Sequence, residues 1–226
     1  AVLLMGGEGL RFGSPLPKQL HLLGSKSLYR YALDTILACK VFDSIVLVCH
    51  PDTVTQVSRE LEENGYNGIK IATGGKTRQE SSFFGIQALD PSPNLILIHD
   101  AVRPFVTQEI LFANLACAIE HGAADTCIAS ADTLVFAPSG HEIESIPNRC
   151  HLQRGQTPQS FRSDWIIEAH KRAIQEKRRG STDDCSLILA IGKKVAIVPG
   201  SDENFKITSS FDLLVAQRLC EAKELC

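Results

Sequence analysis

"AVLLMGGEGLRFGSPLPKQ", residues 1–19, opens with an apolar run of five and then a turn with three glycines in four positions. A short apolar run without polar alternation is the mark of a strand covered on both faces, as in sheets flanked by helices on each side. Gly6, Gly7 and Gly9 follow at the strand's carboxyl end, where backbone N–H groups can converge on an anion. Arg11 and Lys18 add two cations to the same loop. The loop suits phosphate, against the plainer alternative of a glycine turn beside two surface cations.

Two familiar phosphate motifs fail on spacing. A dinucleotide fingerprint starting at Gly7 needs glycine at position 12 and finds Phe12, and "GGKT" at 74–77 lacks the first glycine of a Walker A loop because position 70 is Lys70. A nucleoside triphosphate attacked at its α-phosphorus remains a good fit, since charge builds on oxygens that amides, Arg11 and Lys18 could meet without rearrangement.

The opening strand sets the reading of the rest. β-rich runs recur at 44–49, 69–72, 94–100, 125–130 and 194–200, alternating with helical patterns at 27–39, 52–64, 78–89, 107–122, 163–177 and 210–225. The last two helices open on Ser and Asp residues suited to N-caps. Such alternation predicts an α/β fold with a doubly wound, mostly parallel sheet in one domain spanning residues 1–226. The pattern breaks at about 132–156, where Pro-Ser-Gly separates two weakly alternating segments; a projecting β-hairpin arm is expected there. An arm that long has little core of its own, so it is expected to rest on a second subunit, making a homodimer.

Asp100 ends the apolar strand in "NLILIHD", the position where open α/β sheets bind ligands. It can hold Mg²⁺ against phosphate oxygens or cap the next turn, and Arg103 can brace a phosphate. His99 reads as a structural hydrogen-bonder. Lys206 sits in the polar turn "ENFKIT", where a lone lysine is usually solvated.

The composition is that of an ordinary globular protein, 44% hydrophobic and 22% charged, with a formal net charge of -3 that argues against nucleic-acid partners. The basic cluster "KRAIQEKRR" reads as the last turns of a helix stopped at Gly180. No run approaches about 18 apolar residues, so no membrane span is expected. The eight cysteines show no C-x-x-C and read as reduced packing residues of a cytoplasmic protein.

Taken together, "GGEGLRFGSPLPKQ", "GGKTRQESSFFGI", "IHDAVRPFV", "GQTPQSF", "STDDCSL" and "NFKIT" resemble, in order, the motifs of the 2-C-methyl-D-erythritol 4-phosphate cytidylyltransferase family, including its ribitol-5-phosphate relatives. The resemblance covers nearly the whole chain. It implies a Rossmann-like nucleotidyltransferase that uses CTP, a polyol phosphate and Mg²⁺. Gly6, Gly7 and Gly9 with Arg11 and Lys18 would hold the triphosphate, and Gly75 and Ser81 would face cytosine and ribose. Asp100 and Arg103 would lie beside the reacting phosphates, and Lys206 would reach the α-phosphate. Thr133 and Arg149 on the arm would reach a neighbour's acceptor site, completed by Thr157 and Thr182. The acceptor is expected to be methylerythritol 4-phosphate, with ribitol 5-phosphate as the competing reading. Phe205 and Met5 depart from the family's usual residues without touching a charge.

Overall fold

The computed structural model describes residues 1–7, 17–90, 93–178 and 180–225. Gly9 and Arg11 lie outside them. The chain begins with β1 (Val2–Met5), the small antiparallel pair β2 (Leu22–Leu23) and β3 (Lys26–Ser27), α1 (Leu28–Cys39) and β4 (Ile45–Cys49). There follow α2 (Val54–Glu63), β5 (Ile69–Thr73), α3 (Arg78–Ala88), β6 (Leu95–Asp100), α4 (Gln108–His121) and β7 (Ala123–Ala129). The last third holds β8 (Gln153–Arg162), α5 (Ser163–Gln175), α6 (Cys185–Ala190), β9 (Ala196–Pro199) and α7 (Ser210–Ala222).

Seven strands form one sheet in the order β5-β4-β1-β6-β8-β7-β9. Neighbours pair in parallel, with Leu3 opposite Leu47 and Leu4 opposite Asp100, except around β8, which runs antiparallel to both β6 and β7. Alternate residues of each central strand enter opposite cores. Leu3, Met5, Ile45, Leu47 and Leu97 pack with α1, α2 and α4, while Val2, Leu4, Val46, Val48, Ile96 and Ile98 pack with α3, α5 and α6. The sheet is therefore doubly wound, as the apolar runs predict. Gly85 lets α3 lie close, since a Cβ there would come within 2.4 Å of Val2 and 2.6 Å of Val48.

Local sequence explains several helix ends. Thr77 and Glu80 form a capping box on α3, and Ser209 and Asp212 form another on α7. Thr107 caps α4, which stops at Gly122 with φ 87°. The expected cap fails at α5, where Arg162 occupies the position without a side-chain bond. That helix also ends at Gln175, ahead of the predicted stop, and Lys177 takes the left-handed conformation.

Two further readings are corrected, at β8 and among the cysteines. β8 was not predicted, because "QRGQTPQSFR" has a proline and no apolar alternation. It is nonetheless central, with Gln156, Thr157, Gln159 and Ser160 all buried. The Pro158 carbonyl accepts from Asn114 and Thr126. The stretch predicted as an arm turns back through one antiparallel bridge, Phe136 to Ser145, and its last residues already belong to β8. Finally, Cys39, Cys49, Cys117, Cys127, Cys150 and Cys185 are free thiols as expected, whereas Cys220 is disulfide-bonded.

Candidate active site

The carboxyl ends of β1, β4, β5 and β6 open into a cavity of about 650 Å³. Its walls include Gly6 and Gly7 after β1, Gly74 and Gly75 after β5, and the first turn of α3. Among the described residues, Lys18, Lys76, Arg78 and Lys206 line it against one carboxylate, that of Asp100. Such an excess of positive charge at a strand-end crevice selects polyanions.

Glycine is needed where the two turns approach each other. A Cβ on Gly75 would come 2.4 Å from Cβ of Glu80, and one on Gly74 would meet Ser81 Oγ at 3.0 Å. Ser81 holds this turn in place, accepting from the Gly75 amide at 3.1 Å and donating to the Thr77 carbonyl at 2.9 Å. Across the cavity the buried Gln19 donates to the Met5 carbonyl at 2.6 Å, tying the segment that carries Lys18 to the end of β1.

Asp100 is the electrostatic centre. Lys206 Nζ lies 2.8 Å from its Oδ2, Arg78 Nε 3.4 Å from Oδ1 and Arg103 Nε 4.0 Å from Oδ2. Burial by itself would push this carboxyl up, but Arg78, Lys206 and Arg103 outweigh burial and hold it well below the usual carboxylate range. Arg78 Nη1 also donates to Asp184 Oδ2 at 2.7 Å. Lys206 reaches the site because Ile207 N donates to the Val102 carbonyl, while Ile207, Val102 and Phe105 share a core with α7.

Behind Asp100, His99 Nε2 lies 3.2 Å from the Arg103 carbonyl, which can only accept, so Nε2 carries the proton. Nδ1 then accepts from the Thr157 hydroxyl at 3.0 Å, and that hydroxyl accepts from the Asp100 amide at 3.0 Å. Burial pushes the His99 imidazole down to about 4, so it is neutral at ordinary pH, in agreement with its reading as a structural residue. In the unfolded chain it titrates near about 6.5, so the unfolded state binds more protons between the two values. The His99 contribution to stability is therefore complete above the unfolded value and is lost as pH falls toward the folded one, by roughly 2–4 kcal/mol. Urea midpoints measured from pH 7 to 4 are expected to fall less steeply in His99→Gln than in the native chain; parallel curves would refute this account.

The structure gathers Gly6, Gly7, Lys18, Gly75, Ser81, Asp100 and Lys206 around one cavity. Arg103 is buried beside it and spends Nη1 on the Asn204 carbonyl at 2.8 Å, bracing the loop that leads to Lys206. The Thr157 hydroxyl turns inward to His99 and the Asp100 amide. Thr133, Arg149 and Thr182 are exposed outside the cavity, with Arg149 Nη1 on the Ala131 carbonyl at 3.0 Å. Sequence reasoning missed Arg78 as a site residue, although it is the arginine of the quoted "GGKTRQES" segment. It also missed Gln19, the last residue of "PKQ".

A sheet wound on both faces, with glycine turns and cations at its strand ends, is an architecture suited to binding a nucleotide, and the class of protein that it serves here is the nucleotidyltransferases. The profile of the 2-C-methyl-D-erythritol 4-phosphate cytidylyltransferase family matches residues 1–222. The 2-C-methyl-D-erythritol 4-phosphate cytidylyltransferase of Clostridium botulinum (strain Eklund 17B / Type B) is 35% identical over 97% of both chains. The ribitol-5-phosphate cytidylyltransferase of Lactiplantibacillus plantarum is 33% identical over 99% of this chain and 98% of its own. The crystal structure of 4-diphosphocytidyl-2C-methyl-D-erythritol synthase from Anaerococcus prevotii superposes with a TM-score of 0.84 at 30% identity, covering 97% of this chain and 96% of that one. The chain belongs to the 2-C-methyl-D-erythritol 4-phosphate cytidylyltransferase family and is a cytidylyltransferase enzyme.

Proposed function

We propose that the enzyme transfers CMP from CTP to 2-C-methyl-D-erythritol 4-phosphate, giving 4-diphosphocytidyl-2-C-methyl-D-erythritol and pyrophosphate. The observation that supports this reading is one cavity lined by Lys18, Lys76, Arg78, Lys206 and Asp100, which suits two polyanions brought together. An oxygen of the acceptor phosphate forms a bond to the α-phosphorus of CTP, and the bond from that phosphorus to the bridging oxygen breaks, releasing pyrophosphate. The acceptor phosphate has a second pKa of about 6 and is mostly dianionic at neutral pH, so no general base is needed. At an effective dielectric of about 20, two unit charges 4 Å apart repel by roughly 4 kcal/mol, and the cations offset that repulsion.

Gly6, Gly7 and Gly9, with Arg11 and Lys18, hold the triphosphate in this reading, and Gly75 and Ser81 face the nucleoside. Lys206 exchanges Asp100 for the α-phosphate. Asp100 suits a Mg²⁺ ligand because its neighbours keep it ionised in the cavity, and Mg²⁺ is commonly held by one or two carboxylates plus substrate phosphates. Bound there, Mg²⁺ would supply charge neutralisation on the phosphates.

Thr182, with Thr133 and Arg149 of a second copy, forms the acceptor side, and Thr157 contributes by fixing Asp100. The exposed Phe136, Ile143 and Ile146 of the turned-back segment support a homodimer contact. The second acceptor reading, ribitol 5-phosphate, is favoured by the Lactiplantibacillus plantarum relative, which matches over 99% of the chain.

One experiment separates them. Pyrophosphate release is measured with CTP and Mg²⁺, offering each acceptor in turn, on protein whose mass in solution is read by sedimentation. A kcat/KM about 100-fold higher with methylerythritol 4-phosphate, from a dimer, is the expected result; the two acceptors differ by groups worth only a few kcal/mol. The reverse preference would assign the ribitol branch. Release with neither would refute both, and a monomer would refute the dimer.

A further inference from the structure

Asp184 lies outside the cavity lining yet touches it through one residue. It is buried, with Ser82 Oγ donating to Oδ1 at 2.7 Å and His170 Nε2 lying 3.1 Å from the same oxygen. Its own amide donates to Gln159 Oε1 at 3.2 Å. α3, α5 and β8 thus hold one carboxylate in place, and its other oxygen, Oδ2, is left to accept from Arg78 Nη1 at 2.7 Å. Burial would push the Asp184 carboxyl up, but Arg78, with the His170 and Ser82 bonds, holds it below the ordinary value.

Arg78 is the first residue of α3 and stands between two acids, with Nη1 on Asp184 and Nε 3.4 Å from Asp100. Without Asp184 the guanidinium would turn fully onto Asp100 and compete with Lys206 there for the same carboxylate. We infer that Asp184 is a positioning residue, which fixes the Arg78 guanidinium at the edge of the nucleotide cavity and keeps it from closing over Asp100. This rests on the functional reading above, in which the cavity holds CTP and Arg78 is one of the cations that line it.

The test is CTP binding to the full chain with Mg²⁺ by calorimetry, alongside pyrophosphate release. Asp184→Asn is expected to bind CTP at least tenfold more weakly. In an Arg78→Lys background the same change is expected to add less than twofold, because the guanidinium it positions is gone. Should the asparagine variant fail to fold, Ser82→Ala keeps the ion pair and removes one donor from Asp184, with at least threefold weaker CTP binding expected. Native affinity in the folded Asp184→Asn chain, or in Ser82→Ala where that chain does not fold, overturns the assignment. So do independent penalties in the double variant, which is the behaviour of a merely structural residue. CTP binding without pyrophosphate release by the native chain would refute the transfer reading alone and leave these binding ratios decisive. No CTP binding by the native chain would overturn both.

Discussion

Lys206→Ala is expected to lower turnover by about 100- to 1,000-fold while the chain stays folded, the effect of losing one preorganised donor to transition-state charge. Its ammonium sits 2.8 Å from Asp100 with the side chain 35% exposed, so it is anchored yet able to move. A partly exposed ion pair contributes little to stability, and the loss should therefore fall on rate and not on folding. Lys18→Ala, at another cation lining the cavity, is expected to lower turnover by the same order. The check is kcat from pyrophosphate release, with circular dichroism confirming the fold. Both variants remaining within threefold of the native rate would remove these lysines from the chemistry.

Asp100→Asn is expected to affect both stability and metal use. The native carboxylate faces Arg78, Arg103 and Lys206, and its loss leaves the largely buried Arg103 without a carboxylate and Arg78 with Asp184 alone. Stranding buried charge typically costs 3–5 kcal/mol, and the solvent access of Lys206 places this case near the lower end, about 3 kcal/mol. For a chain of this size that corresponds to a Tm lower by roughly 6–12 °C. The Asp100 carboxyl is depressed by these cations, so its stabilisation is present above the ordinary carboxylate value and is lost as pH falls through the folded one. The native chain should therefore lose its advantage over Asp100→Asn in acid. The Mg²⁺ concentration for half-maximal rate should rise by about tenfold or more. An unchanged Tm together with an unchanged Mg²⁺ dependence would show that Asp100 is neither the hub of these charges nor a metal ligand.

Much of the fold was legible because its cues are local. β1 and β4 are apolar throughout and β6 is apolar up to His99 and Asp100, and they lie buried against helices on both faces. The capping residues of α3, α4 and α7 mark where those helices begin. β8 was illegible because most of its buried positions, Gln156, Thr157, Gln159 and Ser160, are polar, and the apolar Phe161 comes only near its end. Polar residues can fill a core only when distant partners satisfy them, and no periodicity encodes those partners. α6 was missed because six residues are too few to show a helical stripe.

The chain's sequence by itself determined the two-sided sheet, the glycine turn after its first strand and the aspartate at the end of β6, since each depends on neighbours within a few residues. Tertiary structure alone decided how the charges pair. Lys206 meets Asp100 and Arg78 meets Asp184 across 106 residues of chain each. Thr157 reaches the Asp100 amide because β8 enters antiparallel and lays its early residues beside the carboxyl end of β6. A charged side chain carries no sign of its partner; strand order and helix packing choose it, and burial then makes that choice costly to undo.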